Sequence, residues 1–185
     1  MAMTWRSLSD AERGQWVAAP LEGVGPLRFG MSHDQVASAL AASMATRSVV
    51  GRRPGPVSSA VFSLKEAAPF SPSATLSVYY DSGLLAAIAV DARNGPQVVI
   101  DGVSLVGRIP SELDGEFSEY AESREQGIIY NQRGDCCSEI LGLVLRAQRV
   151  DDVVLSRPVL VSKQWSERCG DISEGFIPQV EWQIS

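Results

Sequence analysis

The chain has little of what metal binding and catalysis draw on. One histidine, His33, and three cysteines, Cys136, Cys137 and Cys169, occur among 185 residues. A structural zinc site takes four ligands at recurring spacings, and one histidine without a C-x-x-C pair does not supply them, so no metal is expected. The odd thiol count suits a reducing compartment. The neighbours Cys136 and Cys137 are badly placed to bridge each other, and all three read as structural or surface thiols. Long apolar runs are missing too: none approaches the roughly 20 residues of a membrane span. The first ten residues hold no apolar core followed by a small-residue cleavage site, so the expectation is a cytoplasmic protein without a secretory leader. Basic residues are outnumbered 16 to 22, for a net charge of −6, and a binder of nucleic-acid backbone would need a basic stripe. Gly51-Arg-Arg-Pro-Gly55 has glycine and charge but no Lys-Ser/Thr leading into a helix, so it is not a phosphate loop, and Arg52 and Arg53 read as a loop tip. The expectation is therefore no cofactor, no nucleic acid and no membrane.

What is present suits an ordinary globular domain, with 45% hydrophobic residues and enough length to bury a core without covalent staples. A mildly acidic surface keeps such a chain soluble and attracts a basic partner. One segment occurs twice. Glu22-Gly-Val-Gly-Pro-Leu-Arg-Phe-Gly-Met-Ser32 leads into His33-Asp-Gln-Val-Ala-Ser-Ala-Leu40, and Asp101-Gly-Val-Ser-Leu-Val-Gly-Arg-Ile-Pro-Ser111 leads into Glu112-Leu-Asp-Gly-Glu-Phe-Ser-Glu-Tyr120. Acid, Gly and Val open both copies, and a serine stands at the same offset before a helical pattern.

Along the chain, residues 4–19 are expected to form a short helix with a Ser9/Glu12 capping box, packing Trp5 and Trp16 and ended by Pro20. Ser32 and Gln35 make a second capping box before a helix from His33 to about Ser43, with Val36, Leu40 and Met44 on one face. Arg47 to Ser59 reads as a loop, because its Gly and Pro residues suit neither a helix nor a central strand. Ala60 to Leu64 is a candidate strand, and Lys65 to Ser73 an excursion. Thr75 to Tyr80 and Leu84 to Val90 flank Asp81-Ser-Gly83 as a hairpin, and Gln97 to Ile100 and Val103 to Val106 flank Asp101-Gly102 as another. Ser111 is read as the cap of an acidic, mostly exposed helix from Glu112 to Ser123. Gly127 to Asn131, Ile140 to Gln148 and Val153 to Val161 complete the strands. Pro158 suggests an edge or a bulge, and the tail from Ser162 is irregular, with Trp165 and Trp182 as anchors. The expected class is α+β: one domain over 1–185, of two similar halves (about 20–93 and 97–162), forming a largely antiparallel sheet with the helices on one face.

Leu27-Arg-Phe-Gly-Met-Ser32, followed by Asp34-Gln-Val-Ala-Ser-Ala-Leu40, resembles the repeat-start motif of the β-lactamase inhibitor proteins of Streptomyces and of the small lipoprotein of the bacterial outer-membrane assembly machine. In those groups the motif makes a tight turn into a helix, and a sheet with a concave face follows; in the inhibitors the unit is duplicated. The resemblance covers about twenty residues, and the second copy departs from it where Arg108-Ile109-Pro110 replaces Phe29-Gly30-Met31. It implies a protein binder built on this scaffold, and no binding residue of those families carries over. The Ala and Gly content fits a GC-rich actinobacterial genome.

Candidate chemistry is sparse. Ser32 and His33 are adjacent, but a serine needed as a cap is not free to act as a nucleophile. The acids lie on one helix and in turns, as a solvated face does. The sheet face turned away from the helices is the expected site of function, displaying Tyr79, Val144, Arg146 and Gln148, with Arg157 near Pro158; Tyr and Arg dominate binding hot spots. The expected role is a non-enzymatic protein-binding module of the immunity or inhibitor type, with a protein partner and a homodimer compatible with it. The alternatives are a small-molecule or lipid-binding domain with an apolar cavity, and an enzyme using His33 or Cys137.

Overall fold

The computed structural model describes residues 7–51, 56–66 and 74–185. Trp5, the Arg52-Arg53 tip and the Pro69 and Pro72 excursion lie outside them.

The Ser9/Glu12 capping box forms, with Ser9 N–H donating to Glu12 Oε2 at 2.9 Å, but it closes a single 3₁₀ turn, Asp10–Glu12. The expected N-terminal helix is corrected: Gln15–Ala19 is a strand, β1. A partner outside the segment decides this, because Gln15, Trp16 and Val17 pair in parallel with Gln97, Val98 and Val99, and tertiary pairing overrides local helix preference. Two short strands follow, β2 (Gly23–Val24) and β3 (Leu27–Arg28), then helix α1 (His33–Leu40). Its capping box is built as the sequence indicates: Ser32 Oγ accepts from Gln35 N–H, and Ser32 N–H donates to Gln35 Oε1 at 2.9 Å.

Four antiparallel strands come next: β4 (Met44–Gly51), β5 (Val57–Leu64), β6 (Leu76–Asp81) and β7 (Leu84–Val90). The loop expected over Arg47 to Ser59 is corrected where the structure describes it: residues 47–51 belong to β4 and 57–59 to β5, paired from Met44↔Leu64 to Gly51↔Val57, and residues 52–55 lie outside the described residues. The β6–β7 hairpin is as read, turning at Ser82 and Gly83 with positive φ of 51° and 84°. One detail differs. A bulge at Tyr79/Tyr80 leaves Ala86 unpaired and reverses the faces there: Leu85 joins the helix-side core, and Ala86 the opposite one.

The second half repeats the order. Strands β8 (Gln97–Ile100) and β9 (Val103–Ser104) turn at Asp101-Gly102, and helix α2 (Pro110–Ser123) follows. Then come β10 (Ile129–Tyr130), β11 (Cys136–Ser138), which sequence reading missed, β12 (Leu143–Val150) and β13 (Val153–Val161). The helix starts earlier than expected: Pro110 is its first residue, Ile109 is the N-cap, and Ser111 lies inside the first turn.

The expected single sheet becomes two. A small sheet runs β3-β2-β1-β8-β9; a large one, antiparallel throughout, runs β10-β11-β12-β13-β7-β6-β5-β4. In the large sheet the last strands of the two halves, β7 and β13, lie side by side at the centre. The entries into the two helices match bond for bond. Gly30 N–H donates to Leu85 O while Leu85 N–H donates to Met31 O, and Gly107 N–H donates to Ser156 O while Ser156 N–H donates to Arg108 O. Both glycines have positive φ, 90° and 68°, a conformation glycine takes without steric cost. The structure therefore pairs Gly30 with Gly107 and Ser32 with Ile109. The sequence match that equates Ser32 with Ser111 is two residues out of step.

Pro158 sits in an interior strand, not at an edge. Ser156 bonds to Gly107 and Arg108 and Ser162 N–H to Ala86 O, while pairing with β7 begins only at Val159. Backbone groups two residues apart point the same way, so the N–H that Pro158 lacks would fall between these two sets of bonds.

Helices α1 and α2 pack with the small sheet on one face of the large sheet. Val36, Leu40, Leu113 and Phe117 meet Phe62, Leu76, Ile88 and Leu143 there, together with Val24 and Ile100. The other face is covered by the tail from residue 162, with short helices α3 (Lys163–Ser166) and α4 (Gln179–Trp182). Trp165 and Trp182 anchor it, both buried in a second core with Val144, Val159 and Val161. Among the described residues no helix is long and apolar enough to cross a membrane.

Candidate functional site

Alternation along β6, β12 and β13 puts Tyr79, Val144, Arg146, Gln148 and Arg157 on the face away from α1 and α2, as read. That face is not solvated: Tyr79, Val144, Arg146 and Arg157 are all buried. What closes it is Glu181, which sequence reading did not single out. Arg146 and Arg157 stand directly opposite each other on neighbouring strands, an arrangement that costs energy unless an anion intervenes. The Glu181 carboxylate supplies it. Oε1 accepts from Arg146 Nη1 at 2.7 Å and Arg157 Nε at 2.7 Å, and Oε2 accepts from Arg157 Nη2 at 3.0 Å and Tyr79 OH at 2.6 Å. Tyr79 and Arg157 reach Glu181 from the two strands flanking β7, whose Ala87 and Ala89 on this face leave room for it. The set extends to Asp91, 3.6 Å from Arg157, and Gln148, whose Nε2 donates to Asp91 Oδ2 at 2.8 Å.

Electrostatics follow from this geometry. Burial pushes the Glu181 carboxyl upward, but Arg157, the Tyr79 hydroxyl and Arg146 outweigh it and hold the group below the usual carboxylate range. Burial and the adjacent Glu181 charge raise the Tyr79 phenol. Charges of +2 and −2 are matched among Arg146, Arg157, Glu181 and Asp91, and Trp182 adds its ring 5.3 Å from the Arg146 guanidinium. Such a cluster is an internal clamp on the tail.

His33 and the thiols are equally committed. His33 Nδ1 lies 2.9 Å from Tyr80 OH, and the Ser32 hydroxyl faces Gln35 N–H, so the neighbours are not a nucleophile and its base. Cys136 lines a cleft of about 240 Å³ between α2 and β12, with Ser111, Asp114, Arg133 and Asp135. Its thiol is pushed up to about 12 by burial and the Asp114 charge. Cys169 is pushed up to about 12, chiefly by burial, and Cys137 is raised by burial and by its neighbour Cys169. A thiol so shifted holds its proton at neutral pH, and the thiolate is the nucleophile. Among the described residues no group of three or more His, Cys, Asp or Glu could hold a metal ion.

Among the described residues, an open surface lies along the outer edge of the large sheet. Seven of the eight residues of β4 are exposed, and among the described residues no strand pairs with its outer side. Val49 and Val50 stand 47% and 60% exposed. Sequence reading missed this strand because the Gly and Pro residues of Gly51-Arg-Arg-Pro-Gly-Pro56 dominate the window; the β-branched Thr46, Val49 and Val50 were the available signal. No protein-family model, no curated protein and no solved structure matches this chain.

Proposed function

We propose that the chain is a non-enzymatic protein-binding module of the immunity or inhibitor type, and that it meets its partner along β4. The observation that carries this is the edge position of β4, with which no further strand pairs among the described residues. An exposed row of unpaired backbone groups is a template for another chain, and strand addition is a recurring mode of protein recognition. The matched bonds of Gly30 and Gly107 support an internally duplicated platform, the feature through which the sequence resembles the β-lactamase inhibitor proteins. The thiols, protonated and buried, and His33, held by Tyr80, support contact rather than bond-making as its business.

The test places the photoreactive residue p-benzoylphenylalanine at Val50 in one preparation and at Glu119, on α2, in another. Irradiation in lysate of the native host should give one discrete adduct from Val50 and none from Glu119, and the same partner should co-elute with the unmodified protein at a fixed ratio. Equal labelling from both positions, or none from Val50, would count against this edge as the contact surface.

A further inference from the structure

The backbone bonds match the two halves residue by residue. Gly30 corresponds to Gly107 and Leu85 to Ser156, so the first residues of the two helices, His33 and Pro110, correspond as well. The buried residues Val36 and Leu40 keep that step with Leu113 and Phe117. Across the sheet, Leu85 pairs with Tyr80 and Ser156 with Ala147, which makes Ala147 the counterpart of Tyr80. The next pairs agree: Val78 faces Ala60 in one half and Leu145 faces Cys136 in the other, all four in the helix-side core. In the first half the Tyr80 ring is 5% exposed and meets the His33 ring edge-on, with centroids 5.7 Å apart. The second half has neither ring. Pro110 and Ala147 stand in their places, Ala147 is exposed, and both line the cleft of about 240 Å³ between α2 and β12.

We infer that this cleft binds one hydroxyl-bearing aromatic ring, the tyrosine side chain of a partner chain. The first half shows what this layer accepts: there the phenol is supplied by the chain itself. Pro110, Leu113, Leu145 and Ala147 give apolar walls with few polar groups among them, the make-up of a pocket for a small organic group. Asp114 in the cleft already accepts from one phenol, Tyr130 OH, at 3.1 Å, and a carboxylate has lone pairs for a second. Ser111 and Arg133 line the same cleft as donors. A ring that ends in a hydrogen-bonding group is a frequent anchor of protein interfaces. Only the source of the ring rests on the protein-binding reading above; the cleft does not, and β4 takes no part in it.

The experiment titrates the isotope-labelled full chain with p-cresol, toluene and N-acetyltyrosine methylamide, following backbone amide shifts. p-Cresol should give saturable shifts at Ser111, Asp114 and Ala147. It should bind about tenfold more tightly than toluene, the worth of one hydrogen bond to a charged group. N-acetyltyrosine methylamide should shift the same amides. Ala147→Tyr places the first half's ring in the cleft and should abolish these shifts while the circular dichroism spectrum stays unchanged. Tyr80→Ala opens the matching space in the first half and should add a second p-cresol site, seen at the His33 amide. Absence of saturable p-cresol shifts at the cleft would overturn the site whether or not the variants fold, and so would shifts undiminished in A147Y. Toluene binding as tightly as p-cresol would overturn the phenol. A response to p-cresol with none to the capped tyrosine would assign the cleft to a free small phenol and overturn the partner's side chain. The photo-crosslinking at Val50 tests the strand edge separately, so either result can fail alone.

Discussion

Glu181 shows how one side chain decides the character of a whole face. Without it, Arg146 and Arg157 would be two like charges side by side on adjacent strands; with it, they hold the tail. Removing one partner of a buried ion pair leaves an uncompensated charge and costs about 3–5 kcal/mol, whereas replacing the whole set with apolar residues of similar volume is often neutral. Glu181→Ala should therefore lower the unfolding free energy read from urea titration by an amount in that range. The quadruple replacement E181L/R146M/R157M/D91N should recover much of the loss, because it removes all four charges of the set together. If E181A were as stable as the parent chain, the clamp would not be holding the tail. The pH dependence has a definite sign. The Glu181 carboxyl lies lower in the folded chain than in the unfolded one, so its contribution is present above about pH 4.3 and is lost as pH falls through the folded value. Tryptophan fluorescence during acid titration should report Trp182 leaving its site only at a pH below the ordinary carboxylate range.

At the scale of elements, the two helix starts make a matched experiment. Ser32 caps α1 with both bonds of the capping box, while Ser111 lies inside the first turn of α2 and Ile109 occupies the cap position. Ser32→Ala should cost about 1 kcal/mol, the usual loss for a serine cap. Ser111→Ala should change stability by no more than about 0.5 kcal/mol, as ordinary surface substitutions do. Thermal melts of the two variants separate the cases, and equal losses would contradict the assignment of the caps. The contrast also shows what was legible in the sequence. Strands β6, β7, β8, β12 and β13 could be read because alternation and short Gly or Asp turns are local signals. The common face of Tyr79, Arg146 and Arg157 could be read for the same reason, since a period of two fixes which way each side chain points. The start of α2 could not, because Ser111 offers a better local cap than Ile109 and only the bonds of Gly107 and Arg108 to Ser156 set the phase. Strand β1 was hidden because its partner, β8, lies some eighty residues away. Closure of the arginine face was hidden too: Glu181 sits in a stretch without periodicity, and the hydrogen bonds of its carboxylate are all long-range.

For the whole molecule, the layers account for what is left open. One face of the large sheet is covered by α1, α2 and the small sheet, and the other by the tail, so among the described residues the large sheet is left with open edges at the ends of its strand order. At one end β10 has only two residues; at the other β4 has eight. The same layering buries all three cysteines, which gives the chain a characteristic response to alkali. In the unfolded chain a thiol titrates near 8.5. In the folded chain burial raises Cys136, Cys137 and Cys169 well above that. Between these limits the folded state keeps protons that the unfolded state has released, so stability falls as pH rises. The loss should reach about 1 kcal/mol per thiol at about pH 9.5. Urea unfolding under reducing conditions at about pH 7.5 and about pH 9.5 measures it. The parent chain should lose most of its midpoint difference through these groups, and C136A/C137A/C169A, although less stable at the lower pH from lost packing, should show a markedly flatter slope. An unchanged slope in the triple variant would mean that the thiols are more open to water than their burial beneath α2 and the tail requires.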